Sequence, residues 1–138
     1  MPTEILSGIW IGDINDSMNK DFIKDNLITI FINCTVNYGF PNLEDITRLR
    51  IPLSSDLNPQ KDIQLLYENS KKIIDYIKDV SEEDNILIYC YDGLIISPII
   101  IALYIISTGN ISLDNIREIL RSKNEKICLD INLSIFLK

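Results

Sequence analysis

The stretch from Asn85 to Ser107 limits the fold more than any other part of the chain. It reads NILIYC, then a short loop around Gly93, then SPIIIALYIIS. Asn85–Cys90 is an apolar, partly β-branched run too short for a helix, the pattern of a strand covered on both faces. Ser97–Ser107 is apolar on every side, which suits a helix only in the middle of a core or in a membrane. The apolar run from Leu94 to Ile106 has 13 residues and contains Ser97-Pro98, whereas a bilayer span needs about 20. The helix therefore belongs in a protein core. A buried strand that feeds directly into a buried helix requires an α/β fold with at least part of its sheet parallel.

The rest of the chain fits that frame. Ile5–Ile11 reads as a first strand broken by a turn or bulge at Ser7-Gly8, and Lys20–Asn26 as a short helix. Ile28–Cys34 is a second buried strand, Asn37–Pro41 is rich in turn residues, and Ile46–Pro52 is a further strand. Between Lys61 and Val80 the apolar residues Ile63, Leu66, Tyr67, Ile73, Ile74 and Ile77 recur at helical spacing with charges on the other face. Ser112 caps a helix through about Lys123 that turns Ile116, Ile119 and Leu120 inward. Asn132–Leu137 adds a last turn or helix. No repeat, low-complexity tract or linker interrupts the 138 residues, so residues 1–138 form a single domain large enough for its own core. The expected architecture is a central, mostly parallel sheet of four to five strands flanked by helices.

Composition narrows the partners. The net charge is −7, from 20 acidic and 13 basic residues, and the basic residues form no cluster, so a nucleic-acid partner is not expected. Cys34, Cys90 and Cys128 are odd in number and widely spaced, which gives neither a disulfide framework nor a zinc pattern and favours a reducing compartment. With no histidine in the chain, no metal site is expected, and no other cofactor is implied. The opening MPTEILSG is not a basic-then-apolar signal, so an intracellular, cytoplasmic location without membrane attachment is expected. The 29 isoleucines against a single alanine, Ala102, mark an AT-rich genome of the kind certain viruses and protozoa carry.

The chemistry lies in the loop from Cys90 to Ser97. A strand ends at a cysteine, a glycine follows three residues later, and a helix opens at Ser97-Pro98. Such a loop aims backbone N–H groups and a helix N-terminus at one point, a cradle for an anion and a place where a thiolate is stabilised. Taken alone, it reads more readily as a strand-loop-helix crossover with a buried structural cysteine.

The wider sequence resembles the dual specificity phosphatases, whose signature runs His-Cys, five residues, then Arg and Ser. Cys90 falls on the nucleophile, Gly93 on the loop glycine, and Ser97 on the hydroxyl residue after the arginine. ILSGIWIGD (5–13), ITIFINCT (28–35) and RIPLSSD (50–56) resemble the opening strand, the second strand and the general-acid segment, in the family's order. The resemblance implies the family's α/β fold and a cysteine-based phosphate-ester chemistry without metal.

At several positions the resemblance fails. Ile96 stands where the family has the arginine that binds the phosphoryl group bidentately and stabilises its transition state. The only arginines are Arg48, Arg50, Arg117 and Arg121. Ile95 replaces a residue that is often a small hydroxyl, and Tyr89 replaces the histidine that organises the loop. Cys90 retains the amides and the helix dipole but loses the cationic part of its activation. The family spacing of the general acid falls on Ser55; Asp56, four residues after Pro52, is either the vestigial acid shifted by one residue or an ordinary solvated loop aspartate. Asp92 sets a carboxylate inside the loop, where it would repel phosphate.

These losses imply a pseudophosphatase, with Tyr89, Cys90, Gly93, Ile95, Ile96 and Ser97 as a vestigial phosphate loop that binds phosphate weakly or not at all. The expected role is a non-catalytic interaction module that binds a protein partner or itself through an exposed apolar surface. The competing expectations are a weak or atypical cysteine-dependent protein phosphatase that uses Cys90 and Asp56, and a structural component of an assembly.

Overall fold

The isoleucine-rich alternation along the central strands decides which side chain faces which layer. In the computed structural model, which describes residues 2–109 and 111–136, five strands form one sheet in the order β1-β2-β5-β3-β4. β1 (Thr3–Leu6) and β2 (Ile9–Gly12) pair antiparallel around Ser7-Gly8. The stretch expected as one interrupted strand is thus a hairpin, because Gly8 takes φ 79 in the turn, a conformation glycine adopts without strain. β2, β5 (Asn85–Tyr89), β3 (Ile28–Asn33) and β4 (Thr47–Arg50) then run parallel to one another.

Successive residues of β5 point to opposite faces of the sheet. Ile86 and Ile88 enter the main core, as does Cys90 just beyond the strand, while Leu87 and Tyr89 enter a smaller core on the other face. The main core is covered by α3 (Asp62–Val80), α4 (Ile96–Gly109) and α5 (Leu113–Lys123), with a 3₁₀ turn at Leu133–Phe136. α1 (Ile14–Ser17) and α2 (Lys20–Asp25) follow β2, and Phe22 and Ile23 of α2 pack into the smaller core with Phe31, Leu87 and Tyr89.

α4 is the expected central helix. Nine of its residues are buried, from Ile96 through Leu103 and then Ile105. Pro98 is tolerated because it lies in the first turn, where its missing N–H has no intrahelical partner to lose. No helix among the described residues is long and apolar enough to cross a membrane. α5 begins as expected with Ser112, whose side chain accepts from Asn115 N–H. Leu137, part of the expected C-terminal element, lies outside the described residues.

Candidate functional site

The carboxyl ends of the parallel strands β2, β5 and β3 lie side by side, the position at which α/β sheets present their loops to ligands. Gly12, Tyr89 and Asn33 are in register there. Cys90 continues the ladder through its N–H to Gly12 O, 3.2 Å, and Cys34 does so through its N–H to Tyr89 O, 2.8 Å. Both thiols are free and fully buried. Burial pushes the Cys34 thiol well above its ordinary range, and the neighbouring Cys90 adds to the shift.

From Cys90 the chain wraps around its own sulfur. The N–H groups of Gly93 and Ser97 each donate to Cys90 Sγ at 3.3 Å, and Ser97 Oγ lies 3.3 Å away. The wrap requires a glycine at position 93. Its φ is 71, and a Cβ there would sit 2.7 Å from Gly12 C and 2.9 Å from Gly12 O. Asp92 Oδ1 accepts the Leu94 N–H at 2.9 Å and stands 3.8 Å from Cys90 Sγ, so one loop amide already serves a carboxylate of the chain itself.

The other sequence-singled residues are distributed around this loop. Ile96 is 2% exposed and part of the main core, whereas Ile95 is 39% exposed. Of the two isoleucines, one thus leaves the cradle for the core and the other faces outward. Tyr89 lies across the sheet from Cys90, its hydroxyl donating to Gly39 O at 3.0 Å and its ring edge-on to Phe40. Burial pushes that hydroxyl up to about 12, against the opposing pull of the Arg50 charge. Asp56 is exposed, 2.9 Å from Ser54 Oγ, and makes no hydrogen bond to the Cys90 loop among the described residues. Ser55 beside it is exposed as well.

Two residues that the sequence did not single out hold this region together. Tyr91 donates its hydroxyl to Leu53 O at 2.8 Å and accepts the Val36 N–H at 3.1 Å, which ties the loops after β3 and β4 to the Cys90 loop. Asp62, at the start of α3, is fully buried. It accepts the Ser54 hydroxyl, the Ser54 N–H at 3.2 Å and the Asn58 N–H at 2.7 Å. Burial works to raise its carboxyl, but these bonds outweigh it and hold the group below the ordinary carboxylate range. Asp62 thereby fixes the 54–58 turn that carries Asp56, including Leu57 at the unfavourable φ of 49. In sequence Asp62 is indistinguishable from any first-turn acid of a helix, and Tyr91 has no signature.

Beside the loop lies a cleft of about 660 Å³ that takes in Asp92, Gly93 and Leu94 together with Glu4, Asp13, Asp16, Lys123 and Lys126. Asp13 and Asp16 cap α1 reciprocally. The four arginines are engaged elsewhere: Arg48 with Pro41 O and Leu43 O, Arg50 with Thr35 O, Val36 O and Tyr38 O, Arg117 with Leu129 O, Arg121 with Ile127 O.

The family pattern described as "Dual specificity phosphatase, catalytic domain" matches residues 9–137. The chain belongs to the dual specificity phosphatase family. It is 23% identical over 124 residues to dual specificity protein phosphatase 1B of Arabidopsis thaliana, covering 90% of this chain and 72% of the relative. It is 25% identical over 134 residues to human dual specificity protein phosphatase 6, covering 95% of this chain but only 34% of that longer protein. The crystal structure of DUSP15 superposes with a TM-score of 0.83 at 22% identity, covering 98% of this chain and 85% of that one. The human tyrosine phosphatase-like serine/threonine/tyrosine-interacting protein does so with a TM-score of 0.79 at 17% identity, over 98% and 90%. The fold expected from the sequence is thus the family's fold.

Proposed function

We propose that this dual specificity phosphatase domain is a pseudophosphatase, which binds a protein partner or a second copy of itself and does not turn over phosphate esters. The observation that carries this reading is Ile96. The first residue of α4, where the family has its phosphate-binding arginine, is a core side chain, and every arginine of the chain is tied to backbone carbonyls away from the loop. A phosphoryl dianion in the cradle would have amide donors but no guanidinium, an expensive desolvation without a counter-charge. It would also meet the Asp92 carboxylate at the loop. Losing a preorganised transition-state donor costs roughly 10²–10³ in rate, and here the bidentate donor is gone. The similarity to a human protein described as phosphatase-like and interacting agrees with such a role.

A second reading, a weak cysteine-dependent phosphatase with Cys90 as nucleophile and Asp56 as acid, draws on the two N–H groups and the hydroxyl aimed at Cys90 Sγ. A phosphate and tungstate titration watched through the amides of Gly93, Leu94 and Ser97 by NMR separates the two. The pseudophosphatase reading expects those amides to stay in place through millimolar ion. Sub-millimolar affinity centred on the loop would overturn it in favour of the second.

A further inference from the structure

Among the described residues, nothing pairs with the sheet edge far from the hairpin. β4 pairs with β3 alone. Ile51 N–H donates inward to Asn33 O at 2.8 Å, so the alternation of an extended strand turns the N–H and C=O of Arg48 and Arg50 out of the sheet. Alongside β4 runs a groove of about 380 Å³ against α3, whose apolar walls include Leu49, Ile51, Leu65, Ile73 and Tyr76. Arg50 and Lys72 line it as well, and no Asp or Glu does. In a chain with 20 acidic and 13 basic residues, this is a cationic apolar site on an acidic protein. The guanidinium partners of Arg48 and Arg50 are neutral carbonyls. Lys72 forms no ion pair among the described residues. None of these three cations is held by a carboxylate in an ion pair among the described residues.

We propose that β4 and its groove take an extended acidic peptide of a partner protein. The peptide adds as a strand to the β4 edge, with apolar side chains in the groove on the α3 face and the alternating carboxylates on the other face, toward Arg48 and Arg50. Charge complementarity selects this occupant. A second copy pairing β4 with β4 would set Arg48 and Arg50 against their own kind, which is destabilising for like charges across strands. The inference rests on the interaction-module reading for its purpose and supplies the chemical class of the partner.

The probe is a short blocked peptide of alternating valine and glutamate, titrated at low salt and followed by NMR. A valine–lysine peptide and a valine–glutamate peptide N-methylated on alternate residues are the controls. The first peptide should shift the amides of Thr47–Ile51 and the methyl groups of Leu49, Leu65 and Ile73. It should bind at least about tenfold tighter than either control, which is about 1.4 kcal/mol. Arg48→Glu, at an exposed position on the same face as Arg50, should weaken it about tenfold, and salt should weaken it too. Shifts elsewhere, no binding, equal binding of either control, or self-association through β4 instead of peptide binding would each overturn the inference. Turnover of an aryl phosphate by the same sample tests the pseudophosphatase reading alone. An active protein that binds the peptide loses that reading and keeps this inference, and an inactive protein that ignores the peptide does the reverse.

Discussion

Replacing Gly93 with alanine tests whether the Cys90 loop is closed against β2. The structure gives the cost in two parts. A φ of 71 puts an L side chain in the left-handed region, about 1–2 kcal/mol for a non-glycine residue. The new Cβ would also lie 2.7 Å from Gly12 C, 2.9 Å from Gly12 O and 3.1 Å from Asp13 N. All three are backbone atoms that cannot swing aside, so the end of β2 or the loop must move, at about 1–3 kcal/mol for overpacking. Gly93→Ala should therefore destabilise the fold by about 2–5 kcal/mol, measured by urea denaturation with an unchanged m-value. For a chain of this length that is a fall in Tm on the order of 10 °C. Gly39→Ala is the control: a Cβ there meets nothing within 4 Å, so its stability should stay within about 0.5 kcal/mol of wild type. Equal stability of the two variants would refute the close approach of loop and strand, and with it the enclosed position of Cys90.

Asp62→Asn removes the charged acceptor that holds the 54–58 turn and should cost about 1.5–3 kcal/mol at neutral pH. Because the folded-state carboxyl of Asp62 is held below 3.8, its contribution is present above that value and lost as pH falls through the lower folded value. The stabilities of wild type and the Asp62→Asn variant should thus converge only in strong acid. Tyr89→Phe loses the bond to Gly39 O and should cost about 1 kcal/mol. Alkaline absorbance titration should show one tyrosine ionising near 12 that the variant lacks; its stabilisation is present below about 10 and lost as pH rises through about 12. Ile96→Arg alone should recover little hydrolysis, whereas Tyr89→His, Ile95→Ser and Ile96→Arg together should give detectable turnover that Cys90→Ser abolishes. A folded, phosphate-binding triple variant without turnover would place the defect in loop geometry.

Much of the architecture could be read from residue pattern, because the pattern records burial. The strand Asn85–Tyr89 and the helix behind it announce themselves through apolar residues with no polar face to spare, and the amphipathic α3 through its spacing. The β1–β2 hairpin was less legible, since one glycine at φ 79 distinguishes a tight turn from a bulge. At the site, residue identity singled out Cys90, Gly93 and Ile96, but direction is a property of the folded chain. Only the alternation of β5 sends Tyr89 to the opposite face from Cys90, and only the start of α4 sends Ile96 into the core while Ile95 faces out. Asp62 and Tyr91 act across 8 and 38 residues of sequence separation, through bonds that neither spacing nor composition marks. The cationic groove beside β4 was hidden for the same reason: Leu49, Arg50, Leu65 and Lys72 meet only once β4 lies along α3.

The most direct test of a non-catalytic domain is the turnover of a reactive aryl phosphate by the purified protein, with Cys90→Ser measured in parallel. Without a guanidinium at position 96, hydrolysis by the wild-type protein should be indistinguishable from that of Cys90→Ser across the neutral pH range. Hydrolysis comparable to that of an ordinary dual specificity phosphatase, abolished by Cys90→Ser, would contradict the account.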